Sequence, residues 1–305
     1  MFKNMSPQAL SLSGTQSEII ELVLTYGFES MDLDAIEFSE RAEVKGMDYA
    51  RRLIDSAKMK LGGFVLPIDL EADDAAFAEA TAEVPKYAEN MAAVGCTRCW
   101  AAVAPVSTVM PYHENFERHR GRLADLTGKL GEHGVRLGLG FNGTEKARVA
   151  KDGAEALEFI HDLDALAVLV NTVGAKNLGV IVDSWHLFAS GGTIDNVKKL
   201  SVEQIVGVRV ADAPTDVPRD ALVDSDRMVP GTTGLTKSAE LLAALAEMGY
   251  EGPVTPTPHR SRFQGRTRDR MVRSIGDAMS SLWVAAGLKP ARAAEAEPAE
   301  AAAAT

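Results

Sequence analysis

Residues 180–192, VIVDSWHLFASGG, hold the densest run of side chains able to do chemistry. An apolar stretch delivers Asp183 to its end, and His186 follows three residues later. A carboxylate so placed can ligate a hard metal ion, and the imidazole can touch a polar substrate or carry a proton. The same pair also reads as a cap on the next segment with a histidine packed in a wall. The residues alone leave both readings open. Gly191 and Gly192 then allow a tight turn.

Other candidates are spread along the chain. Asn142 and Glu145 lie in GFNGTE, and Arg209 and Asp212 in VRVAD. His259, Arg260 and Arg262 follow the PVTPTP run, where they could hold an anion or simply be solvated. Asp32, Asp34 and Glu37 follow an early apolar segment. Trp100 and Trp185 could stack on a sugar ring, although tryptophans in such runs more often belong to the core. Cys96 and Cys99 form the one CxxC of the chain. A redox pair opens a helix, whereas this pair precedes an apolar, strand-like run and has no second pair to complete a zinc knuckle. Two buried thiols are expected. GxSxG and HExxH motifs are absent, which removes support for a serine hydrolase or a zincin.

The elements that must carry these residues alternate regularly. Strands are expected at Ala9–Leu12, Met31–Leu33, Gly63–Pro67, Cys99–Ala104, Val135–Phe141, Val180–Asp183, Val206–Val210 and Pro253–Thr257. Between them fall helical patterns. One carries Ile19, Ile20, Val23 and Leu24; others cover Tyr49–Met59, Asp74–Val94 with a bend at Pro85, Asn115–His133, Ala156–Val173, Ser238–Met248 and Arg268–Ala286. His161 falls on the fifth of these and is read as structural. Eight strand–helix units in strict alternation predict an α/β fold, a single (β/α)8 TIM barrel over 1–288. In that architecture the working residues lie at the C-terminal strand ends. An open doubly wound sheet is the alternative, but SLSGTQ after the first strand lacks the three glycines of a dinucleotide-binding turn.

The chain has 305 residues, 46% of them hydrophobic and 25% charged, ample for one large core. The net charge is −11 with Lys and Arg scattered, so neither nucleic acid nor a phospholipid surface is expected as a partner. No apolar run reaches membrane-spanning length, and MFKNMSPQAL lacks the core of a secretory signal, so a cytoplasmic location is expected. The segment 289–305, KPARAAEAEPAEAAAAT, is too poor in large apolar side chains to fold on a barrel and reads as a disordered tail.

The segments GFESMDLD, GGFVLPIDL, RLGLGFNG, EFIHDLDALAVLV, LGVIVDSWHLFASG, VGVRVADAPTDVP, DRMVPGTTG and GYEGPVTPTP occur in this order. Together they resemble the xylose-isomerase-like TIM-barrel family of sugar isomerases and epimerases, from about Ala9 to Leu288. The resemblance implies a divalent metal held by Glu, Asp, His and Glu from the ends of strands five to eight. The two glutamates would also move the proton between adjacent carbons. This chain departs from that pattern at most of its positions. Strand five reads Leu139-Gly140-Phe141 where a Leu-Glu pair is usual, and strand six keeps Asp183. Strand seven reads Val208-Arg209-Val210-Ala211-Asp212 in place of Val-His-Val-Asn-Asp, and strand eight ends Pro256-Thr257-Pro258 in place of Val-Glu-Pro. The usual Pro-Gly-Glu turn is Pro230-Gly231-Thr232.

Glycine supplies no ligand, threonine is a poor one, and guanidinium has no acceptor. No metal or other cofactor is therefore expected. Arg209 is expected to project beside Asp183, restoring a positive charge in a two-pronged hydrogen bond, either as a plug or as a grip on a substrate oxyanion. Proton transfer, if any, would fall to His186 or Glu145 with Arg209 as electrophile. Asp183, Trp185, Asn142, Asp212 and His259 would contact a sugar-like ligand. A pseudoenzyme acting as a binding subunit, self-associated or paired with an active relative, is the rival reading. A relocated metal site would need Asp32, Glu145 or Asp212 to converge on Asp183.

Overall fold

The eight parallel strands close on themselves in chain order. They are β1 (Phe2–Met5), β2 (Ser30–Leu33), β3 (Lys60–Val65), β4 (Arg98–Val103), β5 (Arg136–Phe141), β6 (Leu178–Asp183), β7 (Ile205–Val210) and β8 (Pro253–Pro256). β1 pairs with both β2 and β8, which seals the barrel. This computed structural model describes residues 1–149 and 156–288. The tail expected at 289–305 lies outside the described residues. Among the described residues no helix is long and apolar enough to cross a membrane.

The helices cover the barrel with apolar stripes at helical spacing. Leu123, Leu126 and Leu130 on Tyr112–Gly131 are fully buried, as are Leu242 and Leu245 on Ser238–Glu247 and Ile275 and Met279 on Arg268–Ala285. Side-chain caps set where several of them begin. Thr15 and Glu18 form a capping box at Gln16–Thr25, and Asp34, Asp73 and Asp162 each accept a backbone N–H at the start of a helix.

Three expectations are corrected. The first strand is Phe2–Met5, not Ala9–Leu12, which is a turn running through Ser11 at φ 48°. The sequence FKNM hides a strand because its inward residue is polar: Asn4 is buried in the bore and hydrogen-bonded to Asp32, Thr255 and Ser30. The pattern over Asp74–Val94 is two helices, Asp74–Ala82 and Val84–Ala92, with Pro85 in the first turn of the second, where its missing N–H costs nothing. The helix after β5 starts at Leu163 rather than Ala156, because Leu157–Glu158 instead pairs antiparallel with Val106–Ser107. His161 thus precedes that helix, with its Nδ1 2.8 Å from the Phe159 carbonyl. Cys96 and Cys99 are fully buried free thiols, as expected, and burial pushes both thiols up.

The lower bore is filled by one ring. Trp100 packs with Ile181 and Val206, and glycines make room for it. A Cβ on Gly207 would lie 2.8 Å from the Trp100 ring, and one on Gly138 would lie 3.2 Å from it. The indole is therefore part of the core.

Candidate functional site

Above that ring the strands carry polar inward residues. Asp183 and Arg209 are register partners on β6 and β7, and Arg209 is likewise partnered by Thr255 on β8. Asp32 on β2 stands across the bore, held by Asn4 Nδ2 at 2.8 Å. The C-terminal mouth opens into a cavity of about 290 Å³, lined by Asp183, Arg209, Arg227, Thr255, Thr257 and His259, with Ser6, Gln8 and Val65 among the remaining wall.

The centre of the mouth is an arginine that the sequence did not single out. Arg227 Nη1 lies 3.2 Å from Asp183 Oδ2 and 3.1 Å from Thr257 Oγ1. Its Nη2 is 2.6 Å from His186 Nε2, and its Nε donates to Asp224 at 3.1 Å. The guanidinium lies over the Trp185 ring, 5.5 Å from its centroid. Arg227 comes from the loop between β7 and the helix Ser238–Glu247, immediately after the short turn Asp224–Asp226. The only signal in the sequence was its place in DRMVPGTTG, where a basic residue looks like any solvated loop charge.

Asp183 does two jobs. Its Oδ1 accepts the backbone N–H groups of Trp185 at 2.9 Å and His186 at 3.3 Å, capping the helix Ser184–Ala189, and its other oxygen faces Arg227. Burial alone would raise its carboxyl, but the Arg227 guanidinium foremost among its neighbours holds it below the usual range. His186 is driven the other way. Burial and the adjacent Arg227 push its imidazole down to about 4. Both ring nitrogens face groups that can only donate, Arg227 at Nε2 and the Gly143 N–H 3.2 Å from Nδ1, and the one lone pair of a neutral ring serves one of them. The ring is neutral near pH 7.

Arg209 departs from expectation. It makes no hydrogen bond to Asp183; Arg227 occupies that role, because the carboxylate turns toward its own helix and the loop arginine. Burial presses the Arg209 guanidinium down, while Asp183 and Asp32 sustain its charge from a distance.

The other expected residues divide. His259 reaches the mouth, with its ring against Ser261 and its backbone N–H on the Arg227 carbonyl. Trp185 does not reach it: the side chain is fully buried against Ala189, Ala211, Ala213 and Leu222 and backs Arg227 instead. Asp212 is fully buried too. Its oxygens accept the N–H groups of Ala213, Thr233 and Gly234 at 2.7–2.9 Å, so it ties the loop after β7. Asn142 folds its side-chain oxygen onto Thr144. Glu145 is exposed on the short turn Glu145–Arg148, away from the residues lining the mouth.

A family model described as xylose isomerase-like TIM barrel matches residues 20–275. The chain belongs to this family. Among curated proteins it is similar to the inosose isomerase of Halalkalibacterium halodurans, 27% identical over 155 residues that make up 51% of this chain and 50% of that protein. The Bacillus subtilis inosose isomerase is 26% identical over 152 residues, half of each chain. The chain thus spans about half the length of the curated relatives it matches. Among solved structures, a xylose isomerase domain protein from Alicyclobacillus acidocaldarius superposes with a TM-score of 0.82 at 22% identity, over 94% of this chain and 99% of that one. An IOLI protein with a bound zinc atom gives 0.75 at 17%, over 94% and 98%. A D-psicose 3-epimerase crystallised with D-fructose gives 0.71 at 16%, over 94% and 100%. These structural likenesses speak to the fold.

The strand ends that the resemblance assigns to metal ligands keep one acid. β5 presents Gly140, β6 Asp183 and β7 Arg209, while Thr257 follows β8. Among the described residues no group of three or more His, Cys, Asp or Glu side chains converges as a metal site. Asp32, Glu145 and Asp212 do not gather around Asp183.

Proposed function

We propose that this sugar isomerase/epimerase-like barrel binds a sugar- or polyol-like ligand at its C-terminal mouth without a catalytic divalent metal. The observation that carries the reading is Arg227 Nη1, which spans the strand-six acid and the hydroxyl just beyond strand eight. A guanidinium keeps its proton and cannot ligate, so a side chain here supplies positive charge where the resemblance places an ion. The remaining donor set does not fit Mg, Mn or Zn, which need several oxygen or nitrogen ligands. Asp183 alone remains, and its oxygens are already engaged.

In such a site Arg227 and Arg209 can stabilise a developing oxyanion on the ligand. A base is harder to find. Both His186 ring nitrogens face N–H donors, of Arg227 and Gly143, and Glu145 stands outside the mouth. That observation favours a second reading, in which the barrel binds without turnover and serves as a binding or partner subunit.

Titration calorimetry with Mn²⁺ tests metal independence: no micromolar binding is expected, and micromolar binding abolished by Asp183→Ala would overturn it. The similar proteins are named for inosose and psicose, so a thermal-shift screen would begin with keto-cyclitols and ketohexoses. Hits are then incubated in D₂O. Exchange of a carbon-bound proton marks an isomerase- or epimerase-type enzyme, and binding without exchange marks the binding subunit.

A further inference from the structure

We propose that Arg209 anchors an anionic group, so that the ligand of this mouth is an acidic sugar or polyol bearing a carboxylate or a phosphate. This rests on the reading that the mouth binds a sugar-like ligand, and it adds the ligand's charge.

Arg209 is the unusual arginine of the barrel. It projects from an inward position of β7, two residues beyond Gly207, whose missing Cβ accommodates the Trp100 ring in the bore. Its neighbours in the ladder are Asp183 on one side and Thr255 on the other. Two strand partners of opposite charge, side by side on one inner face, ordinarily form an ion pair. Here they do not. Asp183 gives its oxygens to two backbone N–H groups and to Arg227, and Asp32 across the bore is held by Asn4. Arg209 feels both carboxylates only through space, and no described residue accepts a hydrogen bond from it.

A guanidinium carries five N–H donors in a rigid planar fork and does not shed its proton. Arg209 is half-buried with its nitrogens open to the cavity, so an acceptor brought by a ligand can reach them. The fork matches the two oxygens of a carboxylate, or two of a phosphate, in parallel charge-assisted hydrogen bonds. A neutral sugar hydroxyl would engage one donor at a time. The surrounding wall suits the rest of such a molecule. Ser6, Thr255 and Thr257 offer hydroxyls, and Val65, 46% exposed, offers an apolar surface for a ring face. Arg227 lines the same cavity, but its charge is taken up by Asp183 and Asp224, which leaves Arg209 as the cation turned toward a ligand.

The test is calorimetry on the full chain at pH 7.5 with D-glucuronate, D-glucose 6-phosphate and D-glucose. At least one acid is expected to bind about tenfold or more tighter than D-glucose, a difference of about 1.4 kcal/mol. A preference for the first acid identifies a carboxylate, and for the second a phosphate. Arg209→Gln should level the acids with D-glucose, and Arg209→Lys, which keeps the charge but not the fork, should restore part of the preference. Far-UV circular dichroism melts verify that each variant is folded, and a misfolded Gln variant leaves the Lys variant to carry the comparison. Equal affinity for all three probes overturns the anionic assignment and leaves the sugar reading intact. A preference for acids that survives both substitutions also overturns it, since the anion is then held elsewhere. If none of the three binds, and the ketoses and cyclitols of the screen fail as well, both readings fall together.

Discussion

Arg227 Nη1 sits 3.2 Å from Asp183 Oδ2, with side-chain exposures of 11% and 6%. The pair joins a loop to the end of a barrel strand, and the same guanidinium reaches His186 and Thr257. Each partner compensates a charge that would otherwise be enclosed alone.

Arg227→Met should therefore destabilise the fold by about 3 kcal/mol, because it strands the Asp183 carboxylate in a buried place. Urea midpoints at pH 7.5 measure it. The double variant Arg227→Met with Asp183→Asn should recover part of the loss, since no uncompensated charge remains. A single variant as stable as the parent would show that the pair is solvated and weak.

His186 gives the protein an acid-sensitive term. Its imidazole titrates at about 4 in the fold, against 6.5 when unperturbed. Between these values the unfolded chain binds more protons, so stability is lost as pH falls from about 6.5 to about 4. His186→Asn should flatten that slope in urea midpoints taken at pH 7.5, 5.5 and 4.5. An unchanged slope would place the titration elsewhere.

Asp32 works in the opposite sense. Burial foremost, opposed by the Asn4 hydrogen bond and by Arg209, raises its carboxyl from 3.8 to about 6. Here the folded state binds more protons, so stability is lost as pH rises through 3.8 to 6. Asp32→Asn should raise the thermal midpoint at pH 7.5 and leave it nearly unchanged below pH 3.8. A lower midpoint at pH 7.5 would mean that the ionised carboxylate supports the fold.

Trp100→Ala should cost about 3–5 kcal/mol, the range for deleting a large buried aromatic. The ring fills a bore that Gly138 and Gly207 leave open, and these strands have little freedom to collapse inward. Guanidinium unfolding monitors it. A loss below about 1 kcal/mol would mean that the ring is not core, and sugar stacking would then be open again.

Most of the architecture was legible because alternation of apolar strands and amphipathic helices is a local property. β6, β7 and β8 stand within two residues of where their apolar runs placed them. The first strand was not legible, since Asn4 and Lys3 are polar yet buried, and only their partners Asp32, Thr255 and Ser280 explain why. At the site, the departures Gly140, Arg209 and Thr257 were visible as residue types. Which arginine faces Asp183 was not.

The sequence by itself determined an alternation of eight strands and helices and an acid at the end of the sixth strand, which depend on residue identity and on periodicity along one segment. That Gly140 and Thr257 stand where glutamates are usual came only from the family resemblance. The tertiary structure alone decided that Arg227, 44 residues from Asp183, compensates it, that Trp185 and Asp212 are buried supports, and that Arg209 is left facing the cavity. Loop closure brings side chains together across distances at which sequence spacing carries no directional information, and charges there pair with whatever the fold puts within reach.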